Sequence, residues 1–248
     1  MKQTLLAFCL LAFLLQSTFA QNVDSLMKDG IELRKQYKDS EALTIFEQVL
    51  AIQPNNFEAL WSASLMSAWI GNRDDNKDKK KTFFNSSKDY AVKAMNIDSA
   101  SYYSNYVMTV AIGRMALISS TRERVGSAKI IKYYADKAIM ADSTQPGGWG
   151  LLGRWHHKLL ILNFAERAAA KILFGGLPEG ASKEKALYCF KKAMEIKPDF
   201  ILYKRDYAKA LYDFGFKKEA AAVAKEIMTL PTLTRDDDRY KNEMKEYL

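Results

Sequence analysis

The sequence predicts an all-α protein, a right-handed α-solenoid of stacked helix pairs closed at its C-terminus by a capping helix. Three observations carry this. The string Tyr90, Ala91, Lys93, Ala94, Asp98, Ser99 recurs 44 residues later as Tyr134, Ala135, Lys137, Ala138, Asp142, Ser143. Near the start, Gly30 precedes Ala42 by 12 residues, and Phe46 and Pro54 follow. From residue 24 onward the chain reads as helix after helix. A helix pair cannot bury its apolar face alone, so a repeat of this kind has to stack on its neighbours.

Composition suits that reading. The chain has 248 residues, 48% apolar and 27% charged, with five Pro and 12 Gly, which leaves no low-complexity arm. Residues 1–20 read as a signal peptide. Lys2 gives a positive start, Leu5 to Leu15 is an unbroken apolar run, and Ser17, Thr18 and Ala20 supply small residues for cleavage before Gln21. The apolar run is too short to span a bilayer. A lipoprotein signal does not fit either, since Phe8 stands before Cys9 where a small residue is needed. The expectation is an exported chain, periplasmic or secreted. Past residue 20 only Cys189 remains, so no internal disulfide forms. The remaining chain has 36 basic and 29 acidic residues, a net +7. That balance admits anionic partners, but no nucleic-acid reader motif accompanies it.

Five helix pairs are expected over 21–233. The first holds Gly30, Ala42, Phe46 and Pro54, with a turn at Lys38-Asp39-Ser40. The second starts near Phe57 and places Leu60, Trp61 and Leu65 on its first helix. Asn72 to Lys81, with Lys77, Lys79, Lys80 and Lys81, reads as a solvated loop. The repeated string above marks the second helices of pairs two and three.

The fourth pair is the most informative. Trp149, Leu152, Gly153 and His156 fit W-x-x-L-G-x-x-Y, and Ala186, Phe190 and Pro198 fit the partner helix and its stop. This is the tetratricopeptide signature. Gly153 and Ala186 remove side chains at a close crossing, and Phe190 fills the groove beside them. They lie 33 residues apart, so about 21 residues are inserted. Within the insertion, Phe164, Ala168, Ile172 and Leu173 keep helical spacing, with Glu166, Arg167 and Lys171 on the other side. The expectation is an extra helix over 164–174 packed on the solenoid by that apolar face; the alternative is a peripheral membrane or lipid contact. The fifth pair keeps standard spacing through Ala208, Leu211, Gly215, Ala220 and Ala224. Over 234–248, Thr234 is expected to cap a final helix with Tyr240, Met244 and Tyr247 on one face.

Register can be followed through the second helices. Val49, Ala94, Ala138, Ala193 and Ile227 are separated by 45, 44, 55 and 34 residues. An excess of 10 or 11 over a 34-residue repeat is close to three helical turns, so it can be divided between paired helices, a loop, or both.

Certain residues resemble the regulator of microtubule dynamics family. They are Leu152-Gly153-Arg154-Trp155, Ala165-Glu166-Arg167, Ile172 to Pro178, Glu184-Lys185-Ala186-Leu187 and Phe190. The resemblance implies a tetratricopeptide-like fold and a binding character, with no catalytic motif to transfer. Its eukaryotic members are intracellular proteins linked to microtubules and organelle membranes, so an exported chain is not expected to meet tubulin.

No residue constellation reads as catalytic, and no metal site or cofactor is expected. Adjacent His156 and His157 point about 100 degrees apart on a helix and cannot easily share a metal. His156 stands where the repeat places an aromatic, and Cys189 sits on a packing helix where a thiol is inert. Neither Glu166 with Arg167 nor any Ser, Cys or Thr forms a nucleophile–base pair. Two binding functions remain: a scaffold for a protein or peptide partner in a concave groove, or a carrier for an anionic lipid-like ligand there. In such arrays the first helix of each pair lines the groove. That projects Trp61 and Leu65, Tyr103 and Tyr106, Arg154 and His157, and Arg205 and Lys209 onto it. Such a groove would be aromatic at one end and cationic at the other, suited to an anionic terminus.

Overall fold

A computed structural model describes residues 22–248, and the signal-peptide expectation for residues 1–20 lies outside them. Residues 22–35 form α1. There follow α2 (Asp39–Ile52), α3 (Phe57–Arg73), α4 (Lys77–Ile97), α5 (Tyr102–Ile118), α6 (Thr121–Ala141), α7 (Pro146–Leu160), α8 (Phe164–Phe174), α9 (Lys183–Ile196), α10 (Ile201–Asp213), α11 (Lys217–Thr229) and α12 (Asp237–Met244). A 3-10 turn, Lys245–Tyr247, ends the chain. No strand occurs among the described residues. The helices stack as the pairs α1/α2, α3/α4, α5/α6, α7/α9 and α10/α11, and α8, inserted along the chain between α7 and α9, packs against α6.

Sequence chemistry starts these helices where they start. Asn56 accepts the Ala59 N–H, Asn76 those of Asp78 and Lys79, and Ser182 that of Lys185. Ser120 with Glu123 and Asn163 with Glu166 form reciprocal capping boxes. Each cap satisfies N–H groups that the first helical turn leaves without a partner.

The register read from sequence appears as one equivalent site in every second helix. Val49, Ala94, Ala138, Ala193 and Ile227 are all fully buried. Each carbonyl accepts the N–H that closes the helix, from Gln53, Asp98, Asp142, Lys197 and Leu230. The excess in pairs two and three is absorbed by helix length. Helices α3 and α5 have 17 residues and α4 and α6 have 21, against 13 each in α10 and α11. The expected crossing of the fourth pair is also present: a Cβ on Gly153 would stand 2.8 Å from the Phe190 ring.

Two local readings need correction. The polar stretch Asn72 to Lys81 is the end of α3, the short link 74–76 and the start of α4. Lys77, Lys79, Lys80 and Lys81 occupy the first turns of α4, where cations oppose the helix dipole and so disguise its start; the Asn76 cap provides it. At the other end, Thr234 caps the turn that leads into α12: its hydroxyl accepts the Asp236 N–H at 3.3 Å. The Asp237 carboxylate accepts in return the N–H groups of Leu233 and Thr234 and the Thr234 hydroxyl. The extra helix exists as read, but it packs through Ala170 and leaves Phe164, Ile172 and Leu173 exposed. A short residue lets α8 lie close to α6; the large apolar ones stand off it.

The two ends of the stack meet. Arg73, closing α3, donates to Asp39 at the start of α2 and to Asp236 beside α12. Arg235 pairs with Glu41 at 3.3 Å. Lys197 donates to the Tyr37 hydroxyl, and the Tyr37 and Phe200 rings stack with centroids 6.3 Å apart. Burial holds the Asp39 carboxyl above its ordinary range although Arg73 pulls it down. The concave side is therefore bounded by a seam between first pair and cap.

Candidate functional site

Inside the stack lies a cavity of about 440 Å³, walled by α5, α6 and α7 and floored by the start of α10. Its volume falls in the range of small-molecule sites, roughly 300–1,000 Å³. Most of the wall is apolar, including Val110, Val125, Leu151, Trp155 and Leu159. Trp155 is fixed by its indole N–H, which donates to the Ala128 carbonyl at 2.7 Å. Leu117 and Ile161 line the cavity and are also exposed, so they mark its rim.

Charge on this wall is one-sided. Arg114, Arg124, Arg154 and Lys158 line it, with Glu166 as the only carboxylate among the described residues. Glu166 is already engaged by Arg124 at 3.3 Å. Arg154 pairs with Asp206 behind the wall. Arg114 differs from these. Its side-chain hydrogen bond among the described residues goes to the neutral Asn72 Oδ1, at 2.7 Å. Burial, helped by the neighbouring Arg154 charge, brings its pKa down to about 10. It still carries its proton at neutral pH. Asp236 offsets part of this lowering from a distance, but a desolvated guanidinium with no carboxylate hydrogen-bonded to it among the described residues sits where an anion would be favoured. Beside it, a Cβ added to Gly113 would meet nothing within 4 Å.

A second recess of about 150 Å³ adjoins it. Trp61, Leu65, Tyr103 and Tyr106 line that recess together with Tyr102, Phe200 and Tyr203. The Trp61 and Tyr103 rings stack with centroids 4.2 Å apart, and the Arg34 guanidinium lies 4.1 Å from the Trp61 centroid. Tyr106 borders both spaces.

The eight residues projected from the repeat pattern thus divide. Trp61, Leu65, Tyr103 and Tyr106 come together, and Arg154 lies across from them on the larger cavity. His157, Arg205 and Lys209 line neither space. His157 is buried with Nε2 2.7 Å from Asp213, Arg205 is held by Asp206 and Glu243, and Lys209 lies 3.8 Å from Glu243. The anticipated cationic half-groove is therefore an ion-pair network, because α12 brings Glu243 and α10 brings Asp206 and Asp213 against those cations. Pattern reading missed Arg114, whose signal was available: it is the one charged residue in the 17 residues of α5.

His156 and Cys189 behave as packing residues. His156 is buried edge-on to Trp155, and burial lowers its pKa to about 4. Burial pushes the Cys189 thiol up to about 12. Among the described residues, no three His, Cys, Asp or Glu side chains gather in a way that would hold a metal ion, and no helix is long and apolar enough to cross a membrane.

Comparison with known proteins places this geometry. The family model described as regulator of microtubule dynamics protein 1-3 matches residues 20–248. The chain is 28% identical to mouse regulator of microtubule dynamics protein 3 over 75% of its own length and 40% of that protein's. It is 25% identical to bovine regulator of microtubule dynamics protein 1, over 88% of this chain and 64% of that one. The chain thus spans about two-fifths of the mouse relative. Among solved structures, a thermophilic TPR protein of Thermus thermophilus superposes with a TM-score of 0.64 at 15% identity. The match covers 91% of this chain and 98% of that one. At that identity the likeness shows the tetratricopeptide fold.

Proposed function

The chain belongs to the regulator of microtubule dynamics family, and from that premise we propose that it is a non-catalytic binding protein for an anionic, lipid-like ligand. One observation carries the reading: the apolar cavity holds Arg114, a protonated guanidinium whose hydrogen-bond partner is an amide. A long-chain carboxylate or a monoacyl phosphate matches both features, with its chain along Val110, Trp155 and Leu159 and its head on Arg114. Arg154, already paired, positions the wall and adds to the local potential. No proton transfer or bond cleavage is required of any residue.

A protein or peptide partner is the second reading. The aromatic recess around Trp61 and Tyr103 favours it, since Tyr103 is 36% exposed and its ring faces a stacked indole and guanidinium. Against it stands the seam, which shortens the groove an extended peptide would need. Export after cleavage near Ala20 belongs to the same proposal and rests on the sequence of residues 1–20. An exported chain does not meet tubulin, so the microtubule role in the relatives' names is not carried over.

Native mass spectrometry of the full chain purified from its own host tests the assignment. A stoichiometric anionic amphiphile is the expected adduct; a stoichiometric polypeptide would move the function to the second reading. Gly113→Phe, whose Cβ would meet nothing within 4 Å, places a ring in the cavity and should abolish capture of a fluorescent long-chain carboxylate. Arg114→Ala should weaken capture at least tenfold, about 1.4 kcal/mol. Full capture by both folded variants would remove the cavity from consideration.

A further inference from the structure

Helix α8 turns its large side chains the wrong way for a core element. Phe164 is 87% exposed and Ile172 81%, while Ala170 is buried. At 100 degrees per residue, Phe164, Ala165 and Ile172 lie on the outward arc, and Arg167 and Lys171 flank them on the same arc. Leu117 and Ile118, at the end of α5, are exposed as well, and Leu117 lines the cavity. Arg122 and Arg124 follow at the start of α6, both exposed. Of the nearby carboxylates, Glu166 is paired with Arg124, while Glu123 accepts from the Ser120 cap and keeps its charge beside Arg122.

We infer that this lip is a docking surface for an anionic lipid bilayer. The observations select that occupant in three ways. The apolar side chains stand singly on a convex helix, the form that enters an acyl–headgroup boundary; a protein partner would be met by a groove or a flat patch. Exposed Lys171 on α8 and Arg122 on α6 make no ion pair among the described residues, and anionic headgroups complement their sign. Helix α8 also borders the apolar cavity, through Glu166 on its opposite side. Arg167 fits the arrangement, because its guanidinium donates to the carbonyls of Leu160 and Leu162 and so fixes α8 to the end of α7. The lip is held rigidly outward.

The inference goes beyond the ligand assignment, and a dedicated experiment separates the two. Full-length protein is floated with phosphatidylcholine vesicles, with and without phosphatidylglycerol. Phe164→Ser/Ile172→Ser should weaken binding to the mixed vesicles at least tenfold. Lys171→Glu should weaken it on the mixed vesicles and leave neutral vesicles unchanged. Residues 1–20 are common to parent and variants, so their contribution cancels in the comparison. Gly113→Phe should float like the parent, since it blocks only the cavity. Equal flotation of the double variant and the parent would overturn the inference. So would a parent that sediments as a dimer while the double variant sediments as a monomer, because the face would then be covered by a second copy.

Discussion

Two places on the ring of helices resolve exposed surface in opposite ways. At the seam, where the last helix returns to the first pair, nearly every contact is ionic or polar: Arg73 between Asp39 and Asp236, Arg235 with Glu41, Lys197 with Tyr37. On α8 and at the rim of the cavity, Phe164, Ile172 and Leu117 stand in solvent with no covering element among the described residues. Apolar residues at the seam would have fastened the ends just as well. Directional charge pairs do something more, since they fix which turn of α3 meets which end of α12. Apolar side chains at the rim fix nothing within the chain. The difference separates a surface that serves the fold from one available to something outside it.

That contrast can be broken by experiment, beginning at the seam. Arg73→Ala strips the partner from the buried Asp39 and should cost about 3 kcal/mol or more in urea unfolding. Arg235→Ala, which removes an exposed pair, should cost under about 1 kcal/mol. Equal losses would mean the seam is held by something other than Arg73.

A pH series tests whether the body between seam and rim is rigid enough to exclude a charge. His156 takes its proton near pH 6.5 in the unfolded chain and near 4 in the folded one. Its contribution is therefore complete above pH 6.5 and is lost as pH falls toward 4, by roughly 3 kcal/mol in all. His156→Phe should flatten that slope in denaturant titrations at several pH values. Gly153→Leu should cost ~2 kcal/mol or more by driving a side chain into the Phe190 ring. A parent-like melting curve would argue against that crossing. On α8 the expected change is smallest: Phe164→Ser should shift stability by less than about 0.5 kcal/mol in the same assay. A larger loss would show that this face belongs to the core.

Much of the stack was legible in the sequence because packing repeats its demands. The five second-helix positions from Val49 to Ile227 could be aligned by eye, and all five are buried. Gly153 announced its neighbour for the same reason. Legibility failed where a residue's partner lies far along the chain. Periodicity placed Arg205 on an inner helix but could not show that Glu243, 38 residues on, would neutralise it. It found α8 and reversed its buried face, because Ala170 beats Phe164 only when the close approach of α6 is known. Arg114 was visible as a solitary charge on α5, yet its meaning depends on Asn72, 42 residues earlier.

The clasp at Arg73 has a consequence for how such a chain can change over evolutionary time. In an open array each unit touches only its neighbours, so a unit can be duplicated or deleted and the rest carries on. Here the first and last units are joined, and inserting a pair would swing Asp236 away from Arg73. The number of units is pinned by closure. Growth has to occur within a unit, and that is where this chain has grown: in the long α3 to α6, and in the helix inserted along the chain between α7 and α9.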